Sequence, residues 1–557
     1  MPFTVRPPRG PISAEHSTPF VLRRDNWNDF GFQTLYQLYS MAAGGEPKLI
    51  GDVKILKRSQ TSADGHQLND GVFIELDSSF CSIGQSLDYY ERLANLSPDV
   101  RDMALRGLRD IVRYPENADG FRDEVGWSTS LFRNFNEDNE FISLARTLLD
   151  RDYKALPDIS LAFSLEMPRW GRPITFRFDS PAIKSTAADD IFAVPEVHVL
   201  PSRIAVLIGR NGSGKSTLLA RLARIAYASR WERGFKSLQS LGRLEPDGIG
   251  FTRILAISYS AFDSFVVPGV NRRDREQIAK DIEEGSGRYI FCGLRNIVAE
   301  LREELQRDMD SDEEVPPDNE TDTETDLPDR RANTLLKPLE AVASEFSRLF
   351  GIVERKNRVL LLRQALTPIL NDPSFNDASE QALSKLFGDD MQRSFMALST
   401  GHKIVLHVIT TLVAHTERKS LVLFDEPEAH LHPPLLAALM HGARLVLENN
   451  DAFAIVSTHS PVVLQETLAR HVHLIQRDGE STIVRQPIIQ TFGENIGRIT
   501  SEVFELTSNE TDYHSVLVKL AERYSTLEEI ESLFDGELSM QARAFIMAAL
   551  ARKVRSS

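Results

Sequence analysis

The sequence predicts an α/β fold, because three apolar runs each stop at polar residues suited to phosphate chemistry. IAVLIG (204–209) runs into a glycine-rich loop, SLVLFDE (420–426) ends in two acids, and FAIVSTHS (453–460) reaches a histidine. Short unbroken apolar runs of this kind suit strands buried on both faces. Such sheets bind ligands beyond the carboxyl ends of their strands, which is where all three polar groups fall.

At 557 residues the chain can bury several cores, so two or three domains are expected. Its 42% hydrophobic and 26% charged residues are ordinary for globular protein. No apolar run reaches 18 residues, and the N-terminal MPFTVRPPRGPIS lacks the apolar core of a secretory signal. A cytoplasmic protein with no membrane association is the expectation. Cys81 and Cys292 lie too far apart in sequence to suggest a disulfide framework or a zinc site. The net charge of −16 argues against a uniformly basic nucleic-acid coat. Most of that excess is local: Asp308 to Asp329 holds about eleven acidic side chains and no basic one, and the rest of the chain is only about −5. A basic patch elsewhere stays open.

Residues 1–157 read as an N-terminal α/β region. PFVLRRD (19–25), DVKILKR (52–58) and GVFIELD (71–77) alternate like half-buried strands, and the pattern turns helical from about 85 to 155. Residues 158–268 hold a hairpin of ISLAFSLE (159–166) with ITFRFDS (174–180), followed by the strand at 204–209. Residues 269–390 read as a helical insertion, with NIVAELREELQRDM and LLKPLEAVASEFSRLFGIV separated by an acidic segment at 308–332. Its charge and prolines suggest a disordered loop; an acidic lure for a basic partner is the sharper reading. The α/β alternation resumes over 391–487, and 488–557 reads as helical.

Gly209-Arg210-Asn211-Gly212-Ser213-Gly214-Lys215-Ser216 matches G-x-x-x-x-G-K-[ST], after a strand and before the helix TLLARLARIAYASR. Glycines let backbone N–H groups converge on phosphate oxygens, and the helix N-terminus, at Ser216 and Thr217, adds partial positive charge. Lys215 is then placed for the β- and γ-phosphates of ATP, and Ser216 for Mg²⁺. Asp425 suits the Mg²⁺ shell, and Glu426 suits a general base that polarises water. His459, at a strand end, can hydrogen-bond a γ-phosphate. LSTGH (398–402) precedes the helical run KIVLHVITTLVAHT, with Ser399 or Thr400 as the cap; a capped helix start is also an anion site.

LSTGH resembles the ABC signature, and LVLFDEPEAHLHP resembles the Walker B and D-loop of ABC-type ATPases related to Rad50, RecF and the overcoming-lysogenization-defect proteins. STHSP is similar to their switch-histidine segment. The resemblance implies an ABC-type ATPase head, with two heads sandwiching two ATP molecules as a homodimer. Each ATP would lie between Lys215 of one chain and Ser399, Thr400 and Gly401 of the other. Departures are Thr400 and His402 in the signature, and His432 where the D-loop has aspartate. No glutamine marks the Q-loop after RILAISYS; Ser260 or Asp263 is the candidate. His430 and His432 form an HxH pair, read as D-loop packing in preference to a metal site.

DNWNDFGFQTLY (25–36), FCSIGQSLDYYERL (80–93), SAFDSF (260–265), YIFCGLR (289–295) and FGENIGRITSEVFEL (492–506) resemble phrases of PtuA-type ATPases from Septu and retron-associated anti-phage systems. That family implies a partner HNH nuclease, PtuB, and in the retron version a reverse transcriptase with its RNA–DNA hybrid. Bottom-up, Trp27, Phe30, Phe32, Tyr36 and Tyr39 read as a packed aromatic core rather than a base-stacking surface. The alternative function is a RecF- or Rad50-like repair ATPase acting directly on DNA. No D-x-D with an upstream glutamate follows His459, so no nuclease site of its own is expected. Lys215→Ala should abolish or greatly weaken ATP binding in a nucleotide titration; wild-type affinity would overturn the phosphate-loop assignment.

Overall fold

The computed structural model describes residues 3–12, 18–41, 47–133, 135, 139–156, 161–168, 170–178, 200–310, 334–373, 375, 387–388, 390–479, 481–503 and 512–556. The chain forms two compact units, Met1–Phe492 and Gly493–Ser557.

The first unit opens with a six-stranded sheet of β1 (Phe3–Arg6), β2 (Phe20–Arg24), β3 (Leu35–Met41), β4 (Pro47–Lys57), β5 (Gly71–Phe73) and β6 (Phe80–Gly84). Its order is β5-β1-β2-β3-β4-β6, antiparallel except for β1 with β2. The run expected at 71–77 is a strand only over its first three residues, and β1, β3 and β6 were not anticipated. Three helices, α1 (Leu87–Ala94), α2 (Pro98–Gly107) and α3 (Asn139–Asp150), complete this region. Ser86 caps α1 by accepting the Tyr89 N–H. Gly84 must lack a side chain, since a Cβ there would sit 2.2 Å from the Tyr89 ring. Phe32, Tyr36 and Tyr39 are core residues as expected. Phe30 is not: it is 74% exposed, with the Arg133 guanidinium over its ring.

β7 (Ala162–Glu166) and β8 (Ile174–Arg177) form the expected antiparallel ladder and are joined by β10 (Arg243–Glu245). The main sheet contains β9 (Ile204–Ile208), β11 (Ile254–Ser258), β12 (Tyr289–Gly293), β13 (Leu421–Asp425), β14 (Phe453–Thr458), β15 (Val472–Asp478) and β16 (Ser481–Arg485). Its order is β12-β11-β13-β14-β9-β15-β16, parallel throughout except at β16. Every residue of β9, β11, β12, β13 and β14 is buried, which explains their unbroken apolar sequences. β12 corrects the reading of 269–390 as purely helical, because YIFCG is an edge strand of this sheet.

The helices of this part are α4 (Lys215–Tyr227), α5 (Lys236–Gln239), α6 (Arg272–Glu284), α7 (Ile297–Asp310) and α8 (Leu339–Arg355). They continue with α9 (Val359–Leu370), α10 (Met391–Met396), α11 (Thr400–His415), α12 (Pro433–Asn449) and α13 (Pro461–Gln465). Of the acidic segment at 308–332, the first three residues close α7 and the remainder lies outside the described residues. The second unit holds α14 (Ile496–Glu502), α15 (Asp512–Arg523), α16 (Leu527–Glu531) and α17 (Met540–Ser556), around Leu517, Ile530 and Ile546. Thr526 and Glu529 form a capping box at the start of α16. Among the described residues, no helix is long and apolar enough to cross a membrane.

α1 ties the N-terminal sheet to the main sheet. Asp88, Glu91 and Arg92 share one helix face by their spacing. Asp88 pairs with Arg288 at 2.8 Å, Glu91 with Arg253 at 2.7 Å, and Arg92 with Asp281 at 2.9 Å. All six side chains are buried. Removing one partner of such a pair strands a desolvated charge. Glu91→Ala should therefore destabilise the chain by about 3–5 kcal/mol, read as a lower urea midpoint. Adding Arg253→Met should recover much of the loss.

Candidate functional site

β9 delivers the chain to Gly209, where a Cβ would meet the Ile475 carbonyl oxygen at 2.3 Å. Gly212 and Gly214 have φ of 78° and 96°, a left-handed backbone that favours glycine, and open space lies around both. Arg210, Asn211 and Gly212 form the exposed tip of the loop. Ser213 is buried, and its hydroxyl has no hydrogen-bond partner. α4 begins at Lys215, with Ser216 and Thr217 half-buried in its first turn.

The Lys215 ammonium donates to the Gly209 carbonyl at 2.9 Å and lies 2.8 Å from His459 Nε2. Burial lowers the Lys215 pKa, while Glu426, Asp425 and Glu428 oppose the shift. His459 is likewise shifted down, first by burial and then by Lys215. A neutral imidazole accepting at Nε2 satisfies both groups. Ser216 Oγ donates to Asp425 Oδ1 at 3.1 Å. Burial raises the Asp425 pKa to about 6, with the Ser457 and Ser216 hydroxyls opposing. A buried carboxylate beside a serine hydroxyl is a hard oxygen pair suited to Mg²⁺. The orphan Ser213 hydroxyl and the side-chain-free space at Gly212 and Gly214 fit a phosphate group.

Glu426 follows β13 with a φ of 49°. A left-handed backbone costs a non-glycine residue about 1–2 kcal/mol. Here its N–H donates to the Ser457 carbonyl at 2.9 Å, and its own carbonyl accepts from Ala429 at 3.0 Å. The turn leaves the Glu426 carboxylate partly exposed, 3.9 Å from His459 Nε2. Asp425, Glu426, Lys215, Ser216 and His459 thus meet at the carboxyl ends of β9, β13 and β14.

Glu428 belongs to this cluster and was not singled out from the sequence. It accepts the Thr458 hydroxyl at 2.8 Å and also the backbone N–H of His459. The second glutamate of DEPE, two residues past the base candidate, was the available signal.

Ser399, Thr400 and Gly401 open α11. Ser399 is its cap, accepting the His402 N–H at 3.3 Å. A Cβ on Gly401 would press on the His430 carbonyl at 3.2 Å, so the signature turn packs on the D-loop. His432 Nδ1 caps α12 by accepting the Leu435 N–H at 3.2 Å. That gives His432 a local capping role, and no group of three or more side chains that could hold a metal ion occurs among the described residues. At the Q-loop position, Asp263 is taken by a buried ion pair with Arg295, and Ser260 Oγ accepts the Phe262 N–H at 3.1 Å.

Behind the signature helix lies a buried polar group that the sequence did not reveal. Tyr259 Oη is 2.6 Å from His407 Nδ1, Cys292 Sγ is 3.7 Å from both, and Glu345 Oε1 is 3.8 Å from His407 Nε2. It links the ends of β11 and β12 to α11 and α8.

Glu428→Ala should remove both acceptors that hold the His459 segment. Losing such bonds costs about 1–3 kcal/mol. ATP turnover is expected to fall about tenfold or more, with nucleotide affinity largely kept; unchanged turnover would contradict the assignment.

Residues 204–465 match the family described as an AAA domain, putative AbiEii toxin, of a type IV toxin–antitoxin system. Protein ea59 of Escherichia phage lambda is 30% identical over 564 residues, spanning 98% of this chain and 98% of that protein. Among solved structures, the ADP conformation of an ATP-binding cassette of an ABC transporter shares 14% identity and covers 62% of this chain and 98% of its own. Its TM-score of 0.28 is too low to bear on the fold. With a full-length relative at this identity and a matched domain that contains the phosphate loop, signature, acidic pair and switch histidine, the chain belongs to the family of phage protein ea59, built on a P-loop ATPase domain of the ABC/AAA type.

Proposed function

We propose that two copies of this chain close around two ATP molecules and hydrolyse them, and that the cycle regulates a partner HNH nuclease of the PtuB kind in anti-phage defence. The observation that carries the ATPase half is the convergence of Lys215, Ser216, Asp425, Glu426 and His459 at one sheet edge. Ser399 and Gly401, meanwhile, lie on a helix start packed against the D-loop. The partner half is supported by the resemblance of the phrases at 25–36, 80–93, 260–265, 289–295 and 492–506. A full-length relative encoded by a phage suits a role in phage–host conflict.

Lys215 exchanges the Gly209 carbonyl and His459 for phosphate oxygens, which compete well for an ammonium. Ser216 and Asp425 hold Mg²⁺, which when bound neutralises phosphate charge. Glu426, exposed and turned out of β13, polarises the attacking water. His459, released from Lys215, donates to the γ-phosphate once Nε2 carries a proton, as the Nε2–H tautomer or as imidazolium. Ser399, Thr400 and Gly401 of the second chain complete the site, with the capped start of α11 facing negative charge. Closure therefore depends on the triphosphate, and hydrolysis works as a timer for the complex. A reverse transcriptase with its RNA–DNA hybrid would join in a retron version.

Glu426→Gln should keep ATP, lower turnover by about 10²–10⁴-fold, and hold an ATP-dependent dimer visible by light scattering. Ser399→Arg should leave single-chain nucleotide binding intact and prevent that dimer. Wild-type turnover in Glu426→Gln would refute the assigned base. Cleavage of DNA or RNA by the purified chain alone, unaffected by Glu426→Gln, would refute the division of labour. Salt-sensitive, ATP-dependent DNA binding would favour the RecF-like alternative.

A further inference from the structure

A recessed cavity of about 140 Å³ lies where β4, the start of α1, the chain after α4 and the start of α6 meet. It lies apart from the nucleotide motifs and draws on the phrases at 25–36 and 80–93. Its charges do not balance. Three of its cations are already matched: Lys54 by Asp29 at 2.8 Å, Arg92 by Asp281 at 2.9 Å, and Arg288 by Asp88 at 2.8 Å. Arg273 is then left to face Asp25, Asp52, Glu232 and Asp274.

These carboxyls keep part of their surface accessible although they sit deep in the protein, because that surface faces the cavity. The crowding is visible in the acidity of Asp274 and Asp52. Burial raises the Asp274 pKa to about 8, and Glu232 and Asp52 push it in the same direction. Burial raises Asp52 to about 6, with Asp25 and Glu232 adding to the shift and Arg273 opposing it. Asp88, only 6% exposed, also lines the cavity, and its Oδ1 has no hydrogen-bond partner. A buried carboxylate oxygen left unpaired is costly.

The remaining wall is aromatic. Trp27 meets Trp231 edge-to-face at 5.6 Å, and Phe235 packs on Trp231 at 4.5 Å. Indole faces attract cations. A metal ion does not suit this wall, since among the described residues no three metal-binding side chains are placed so that they could hold one. The volume is close to the roughly 150 Å³ that accommodates benzene in an engineered cavity, so an organic ligand fits.

We propose that this cavity binds a small organic polycation, a short alkyl diamine or guanidino-amine, between Asp52, Asp274 and Glu232 on one side and Trp231 on the other. One protonated nitrogen offsets the clustered carboxylates. The alkyl chain lies along the indoles. Asp52 and Asp88 come from the N-terminal region, Glu232 and Asp274 from the chain beyond the phosphate loop, so the ligand bridges the two. α4 connects this site to the nucleotide site, since Lys215 starts that helix and Tyr227 at its end lines the cavity.

The test is isothermal titration of the full chain with putrescine, agmatine, butan-1-ol and N-acetyl-arginine amide at fixed ionic strength. Putrescine or agmatine should bind saturably and butan-1-ol should not. Asp52→Asn and Asp274→Asn should each weaken binding at least about tenfold, while ATP affinity stays unchanged. Above pH 8, where both carboxyls are ionised, both variants should melt at or above the wild-type temperature, because each removes a repelling charge. Trp231→Ala, which leaves every carboxylate in place, should also weaken binding. Lys215→Ala should retain it, so failure of the ATPase assignment would not affect this result. No saturable binding of either polycation, or equal binding by the Asn variants, would overturn the proposal. A response to N-acetyl-arginine amide alone would also overturn it, assigning the cavity to a basic side chain of another protein.

Discussion

The site rests on one constraint, the parallel register of β9, β14 and β13. Ser457 pairs with Asp425 on one side and with Leu207 on the other. Three chain segments, the first some two hundred residues before the other two, therefore end at the same level of the sheet. Their next residues are the phosphate loop, the two acids and the histidine. A one-residue slip in any ladder would turn a strand's side chains to the opposite face and disperse them. Complete burial of these strands makes such a slip costly, so the hydrophobic core is also what aligns the chemistry.

Around that edge, polar contacts set the finer geometry. Glu428 grips the Thr458–His459 turn, and the Ser457 carbonyl holds the Glu426 backbone in its left-handed turn. Each strand end thus positions its neighbour. The signature turn is held separately, by Gly401 packing on the D-loop and by the Tyr259–His407–Cys292 group beneath α11. A site assembled from two such halves needs both to be rigid before they meet, because a loose half would spend binding energy on ordering itself.

The legible parts were those whose chemistry is local in sequence. The phosphate loop lies within eight residues, and the acids directly follow their strand, so spacing alone placed Lys215, Ser216, Asp425 and Glu426. His459 was legible through its strand. Glu428 was missed because its role is defined by partners thirty residues away, at Thr458 and His459. The Tyr259–His407 contact spans 148 residues and has no local signature. YIFCG was absorbed into a helical insertion because its helical flanks dominated the pattern, yet tertiary pairing with β11 makes it a strand. Phe30 was grouped with its aromatic neighbours, but a φ of 50° turns it outward.

We propose that each nucleotide is held by two chains that each contribute half a site. Mixing a Lys215→Ala chain with a Ser399→Arg chain tests it most directly. Neither variant should hydrolyse ATP alone, but the mixed pair contains one site with an intact lysine from one chain and an intact signature from the other. ATP turnover should return on mixing; a mixture as inactive as its components would contradict a site shared between two chains.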